Sequence, residues 1–249
     1  MKRLFYSILG IATCVLFAAC FLADATNTNV DEKLDEFGII ESSKETNDVS
    51  DSNFVDTNGG GGDETKTEVI VKERTAETKS YFNKIVMESE FGGQRETAFK
   101  WTVDLKIYID GEKPDYLVKE LKSIVSELNS IINTVELKIV STESEANYFV
   151  YFGSHEDFKT KYDLIFPSRL DHNFGYFEVY RQSGNMYVDL YRTSDKEAHK
   201  HLLREELTQS LGLLNDSYDY PESIFYQGWT TTTEYAPIDR ELIDMLYNE

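Results

Sequence analysis

Glu206 is the residue in this sequence that most needs a reason. It lies in His201-Leu202-Leu203-Arg204-Glu205-Glu206-Leu207-Thr208-Gln209-Ser210-Leu211-Gly212, whose apolar residues recur at helical spacing. At about 100° per residue, Leu202, Leu203, Leu207, Ser210 and Leu213 form one broad apolar face. Glu206 falls inside that face, between Leu202 and Leu203. A carboxylate there is costly unless it is paired, protonated or coordinated to an ion. Two readings follow: a glutamate bonded to backbone or to a buried tyrosine, or a site built on this helix. Glu205 and Gln209 sit together at the border of the face, one turn apart, and His201 sits one turn earlier. His201 and Glu205 are spaced to share an ion, whereas His199 falls on another side of the helix. The sequence has no Gly-x-Ser-x-Gly and no phosphate loop, so serine nucleophile and nucleotide chemistry have no support.

The elements that must hold this helix can be read from hydrophobic period and turn residues. Trp101 to Ile109 alternates as a strand, and Asp110-Gly111 ends it. Pro114 to about Asn133 has helical spacing, with proline suited to the first turn. Val135 to Val140 and Tyr148 to Phe152 are short apolar strands, and His155 to Tyr162 is a short helix. Gly175 to Tyr180 and Met186 to Tyr191 flank Ser183-Gly184-Asn185, which predicts a hairpin turn. Ser194-Asp195-Lys196-Glu197 predicts a capping box that opens the Glu206 helix, and that helix is expected to run to about Leu213. A final helix covers Ile238 to Tyr247. This order predicts an α+β domain with a twisted mixed sheet packed on helices.

The same stretch resembles the zincin metallopeptidases, in particular the metzincin pattern His-Glu-x-x-His-x-x-Gly-x-x-His or Asp. Aligned on Gly212, Glu206 takes the place of the general base. Glu205 and Gln209 take the places of the first two histidine ligands, and Asn215, with Asp216 behind it, the place of the third. Ser223, Ile224 and Phe225 resemble the Met-turn, with Phe225 where methionine would stand. Tyr235-Ala236-Pro237-Ile238 through Tyr247 resembles the closing helix. The stretch also resembles an uncharacterised bacterial zincin-like domain of unknown function, whose helix reads Glu-x-x-Gln-x-x-Gly-Leu-x-Asn-Asp. The resemblance spans Trp101 to Tyr247 and implies a zincin-like fold. It implies ordinary zinc proteolysis less well. Peptidase zinc is held by neutral imidazoles and a carboxylate and leaves one position for water, and here neither helix histidine position is His. An oxygen set from Glu205, Gln209, Asn215 or Asp216 suits a harder divalent ion. The cofactor is therefore none, or a divalent metal of unassigned identity.

Where the domain works is written at the other end of the chain. Lys2 and Arg3 precede the apolar run Leu4–Ala19, which is shorter than the roughly 20 apolar residues that span a bilayer. Ala18-Ala19-Cys20 resembles a lipobox, with Phe17 where leucine is usual. Residues 1–19 are expected to be a lipoprotein signal peptide and Cys20 the lipidated first residue. Cys14 and Cys20 are the chain's 2 cysteines, so the domain is expected to hold neither disulfide nor thiolate metal site. Residues 20–75 are polar and acidic, include Gly59 to Gly62, and read as a disordered tether. Residues 76–249 read as one domain. The chain carries a net charge of −20, which argues against nucleic acid as a partner. Tyr176, Phe177, Tyr180, Tyr187, Tyr191, Tyr218, Tyr220, Phe225, Tyr226 and Trp229 crowd the hairpin and the loop after the motif helix. They read as core packing or as the lining of a peptide or sugar groove. The resulting expectation is an extracytoplasmic, lipid-anchored membrane protein with a degenerate metzincin-like domain that binds peptide or cell-envelope material. The alternative is an active metal-dependent peptidase with Glu206 as general base.

Overall fold

The computed structural model describes residues 74–88 and 97–249. The leader, Cys20 and nearly all of the tether lie outside the described residues. Among the described residues no helix is long and apolar enough to cross a membrane.

The domain opens with α1 (Ala76–Phe82), which runs on as a π-helical turn, Asn83–Met87. Thr75 caps α1 by accepting the Thr78 N–H at 3.1 Å. Arg74 pairs with Glu241 at 2.9 Å and Glu249 at 3.0 Å, which ties this start to the end of the chain. The hydrophobic pattern did not reveal α1, because its seven residues bury little besides Tyr81 and Thr78.

There follow β1 (Leu105–Gly111), α2 (Asp115–Ile131), β2 (Leu137–Val140) and β3 (Tyr148–Gly153). Then come α3 (His155–Lys161), β4 (Gly175–Tyr180), β5 (Ser183–Asp189), α4 (Lys196–Gln209) and α5 (Pro237–Asn248). The five strands form one sheet in the order β2-β1-β3-β5-β4. All neighbours are parallel except the β4–β5 pair, so β4 is an antiparallel edge strand. The domain is thus mixed α+β, with a mostly parallel sheet.

Side chains alternate across the sheet as strand geometry requires. Tyr148, Val150, Phe152, Phe177, Met186 and Val188 join α2, α4 and α5 in the main core. Tyr151, Tyr176 and Tyr187 point the other way and pack with Phe158 of α3, Leu164 and Leu170. The large core therefore lies on the helical face that carries α4.

Three local expectations are corrected. The hairpin turns at Arg181-Gln182, not at Ser183-Gly184-Asn185, because Tyr180 pairs with Ser183. Arg181 takes the left-handed backbone, φ 53°. Gly184 is used instead within the strand, where a Cβ would lie 2.5 Å from the Glu178 carbonyl. Trp101 precedes β1 rather than starting it: its ring N–H donates to the Ser210 carbonyl at 3.0 Å, wedging it beneath the end of α4. And α4 stops at Gln209, four residues before Leu213. Gly212, at φ 121°, brings the chain so close to Phe99 that a Cβ would meet its carbonyl oxygen at 2.1 Å.

Candidate functional site

Helix α4 begins at Asp195, whose carboxylate accepts the Glu197 N–H at 2.9 Å; Asp195, rather than the expected Ser194, is the cap. From His201 onward every residue of the helix is buried, including Arg204, Glu205, Glu206 and Gln209. This was not expected of an amphipathic helix. The sheet covers the apolar face, while α2 and the C-terminal segment cover the polar one.

The polar residues of α4 reach neighbours on several elements. Arg204 reaches back to α2, donating to Glu127 at 2.7 Å and Glu120 at 3.0 Å, and lies over the Tyr235 ring. Thr208 donates to the Arg204 carbonyl at 2.6 Å and shares a 2.7 Å hydrogen bond with the Tyr235 hydroxyl. His201 places Nδ1 2.7 Å from the Thr232 carbonyl and Nε2 3.4 Å from Glu205 Oε2. With a carbonyl as partner, Nδ1 must carry the proton. Burial pushes the His201 imidazole below its usual range and so favours its neutral form.

The expected ligand positions divide. Gln209 donates from Nε2 to Asp216 Oδ1 at 2.6 Å, joining two of them directly. Asn215 turns away: its side-chain amide donates to the Lys84 carbonyl at 2.8 Å and its backbone N–H to Ile85, so it staples the π turn to the domain. Glu205 stands beside His201. Glu206, in the position likened to a general base, faces the start of edge strand β4. A Cβ on Gly175 would lie 2.7 Å from Glu206 Oε1 and 2.9 Å from its Cγ, so glycine is what lets the carboxylate lie on the strand. Burial, together with the nearby Glu206, holds the Tyr148 hydroxyl well above the usual tyrosine range.

The turn likened to a Met-turn is fully buried at Ser223, Ile224 and Phe225. Ser223 Oγ accepts from Tyr81 at 3.1 Å and donates to Asp239 at 2.5 Å. Asp239 also accepts the N–H groups of Ile224 and Ala236. The strand-like exit from this turn pairs with the residue after Asp216: Ser217 N–H donates to the Phe225 carbonyl at 2.9 Å. The turn thereby fixes the chain that carries Asp216 beneath Gln209. Sequence reasoning missed three partners of this region, Thr232, Lys84 and Gly175. Nothing in their residue types marks them, since two of them contribute backbone carbonyls.

The aromatics singled out from the sequence divide between core and surface, with Tyr180, Tyr220 and Tyr226 half-buried. Tyr176, Phe177, Tyr187 and Phe225 are buried. Tyr191, Tyr218 and Trp229 are exposed, and Trp229 packs edge-on against Phe174, the residue before β4, at 6.4 Å. Among the described residues, His155, Glu156 and Asp171 place their ligand atoms within 4.8 Å of one another; they lie outside α4.

A family model described as "Protein of unknown function (DUF2927)" matches residues 75–249. No curated protein matches the chain. Among solved structures, the chain is similar to a crystal structure of myroilysin, a metallopeptidase. That likeness has 9% identity and TM-score 0.42, and covers 62% of this chain and 87% of the other. A second myroilysin structure has 12% identity and TM-score 0.38, covering 62% and 97%.

The buried acids give this region a pH signature. Burial outweighs the Gln209 hydrogen bond and pushes Asp216 up to about 7. Asp239, buried but well bonded, rises to about 6. Unfolded, both ionise near pH 4. The folded chain therefore holds more protons between pH 4 and 7, and their stabilising contribution, complete below pH 4, is lost as pH rises through that window. In urea titrations from pH 4 to pH 7, Asp216→Asn should flatten the decline in stability by on the order of 1 kcal/mol or more. An unchanged slope would contradict the assignment.

Proposed function

The chain belongs to the DUF2927 family, and from that premise we propose that it is a lipid-anchored extracytoplasmic protein whose zincin-like domain binds a peptide or cell-envelope ligand instead of performing standard zinc proteolysis. One observation carries this reading: the Gln209 amide donates to Asp216, so two of the positions likened to ligands bond to each other. Asn215, the third, has its amide nitrogen committed to Lys84. A glutamine engaged by a carboxylate and an amide turned aside do not fit tetrahedral zinc, which takes imidazole, thiolate and carboxylate. No hydrolytic step is therefore routed through zinc at α4. The ligand surface we favour is the free side of β4, the edge strand, to which an extended peptide can add by backbone hydrogen bonds. Phe174 and Trp229 stand at its beginning and offer apolar contact.

The second reading is a hydrolase that uses Glu206 as general base with another divalent ion. What favours it is the placement of Glu206 against Gly175, at the same end of the edge strand. The two readings part in a cleavage assay. The full chain, incubated with a mixed peptide library and supplied with zinc, manganese or calcium, should release no products that depend on Glu206. Metal-dependent cleavage that is abolished by Glu206→Gln would overturn the binding reading in favour of the hydrolase.

Anchoring rests on the leader and Cys20. In a bacterial host fed labelled palmitate, the chain should take up label and fractionate with membranes. Cys20→Ser should abolish the labelling and leave an uncleaved precursor. Equal labelling of both forms would remove Cys20 from its assigned role.

A further inference from the structure

At the carboxyl ends of β3 and β5 lies a cluster that the reading above does not use. His155 and Glu156 open α3, and Asp171 ends the 3-10 turn Pro167–Asp171. His155 Nε2 lies 3.0 Å from Glu156 Oε1, and the ligand atoms of all three residues lie within 4.8 Å of one another. Zinc bonds of about 2.0–2.2 Å at tetrahedral angles set ligand atoms about 3.3–3.6 Å apart. Small side-chain rotations bring these three to that spacing.

Behind the histidine stands a second, independent feature. Asp189, the last residue of β5, has a side chain with 0% exposure. Its Oδ1 accepts the backbone N–H groups of Tyr191 and Arg192. Its Oδ2 accepts no hydrogen bond and points to His155 Nδ1 at 3.4 Å, with Arg192 Nε at 3.3 Å. A metal-bound histidine commonly offers its other ring nitrogen to a carboxylate, which fixes the tautomer and the ring orientation. Asp189 is placed to do that. The proton then sits on Nδ1, and the lone pair of Nε2 faces Glu156 and Asp171.

The two carboxylates already share a cation. The Lys159 ammonium pairs with Asp171 and lies 4.0 Å from Glu156. They are therefore arranged around one positive charge. An imidazole with two carboxylates favours zinc over calcium or magnesium, which take oxygen ligands in larger number.

We propose that His155, Glu156 and Asp171 form a zinc site, with Asp189 positioning the imidazole and Lys159 as the displaceable resident cation. Zinc here joins α3 to the turn that leads through Asn173 and Phe174 into β4. It fastens the segment from which the edge strand starts, whether or not α4 has any catalytic chemistry.

The test is a zinc titration of the full chain in competition with a chromogenic chelator. Wild type should bind zinc saturably at this site, with excess calcium or magnesium failing to compete. His155→Ala should weaken that binding at least tenfold while leaving the far-ultraviolet circular dichroism unchanged, since the half-buried His155 ring meets only the carboxylates of Glu156 and Asp189 in ion pairs and belongs to neither apolar core. Lys159→Met should tighten it severalfold by removing the competing charge. In Asp189→Asn the His155 ring should lose its single-tautomer nitrogen signature and bind zinc more weakly. Absence of saturable zinc binding, or binding indifferent to both His155→Ala and Lys159→Met, overturns the proposal. Neither result depends on peptide cleavage, so failure here is distinct from failure of the binding reading.

Discussion

Burial of a polar stretch of helix, His201 to Gln209, is the constraint on which the rest of this domain depends. From His201 to Gln209, α4 has no side that faces water, yet it carries an arginine, two glutamates, a glutamine and a histidine. Stranding one charge of a buried pair costs about 3–5 kcal/mol. The surrounding elements are therefore specified as much by polar complementarity as by shape. α2 supplies Glu120 and Glu127 to Arg204, and the C-terminal segment supplies Tyr235 to Arg204 and Thr208 and the Thr232 carbonyl to His201. The turn after the helix supplies Asp216 to Gln209. These partners lie far apart in sequence, so α4 is formed as a buried helix only when the whole domain closes around it.

The same constraint shapes the chemistry available. Peptidase zinc needs ligands that point into a shared opening and keep their lone pairs for the ion. On α4 and just beyond it the N–H groups are directed to protein partners, a carbonyl for His201, a carboxylate for Gln209 and a distant backbone carbonyl for Asn215, while His201 Nε2 and Gln209 Oε1 are buried without a hydrogen-bond partner. Glu206 is the exception in kind, because it lies on the sheet edge where glycine leaves the backbone uncovered. The N–H donors of the helix are thus used in bonds within the domain. The His155 cluster has the opposite character. It is partly exposed, its carboxylates are shared by a lysine that can leave, and its buried carboxylate stands behind the imidazole instead of competing with it.

Much of the scaffold was legible in residue spacing. The alternation in Leu105–Ile109 and the helical spacing of Leu117, Leu121, Ile124 and Leu128 are strong local signals, and the structure has a strand and a helix there. The burial of Glu206 was legible too, as a carboxylate inside an apolar stripe. What was not legible was non-local. Arg204 looks like a solvent-facing residue until α2 folds over it. Ser183-Gly184-Asn185 has turn residues, but the packing of Gly184 against Glu178 and Tyr148 places it in the strand and moves the turn to Arg181-Gln182. Asn215 aligns with a ligand position by count alone, and only the position of the π turn diverts it to Lys84. The His155 site combines the first turn of α3 with the end of the 3-10 turn Pro167–Asp171, which no spacing rule anticipates.

In this reading α4 closes on protein partners and not on a metal. This closure is tested most directly by following the His201 imidazole nitrogens by NMR as zinc is added to the full chain. His201 should keep a neutral ring with the proton on Nδ1, held by Thr232, and its Nε2 resonance should stay in place through the titration. A coordination shift at His201 Nε2 at stoichiometric zinc would contradict it.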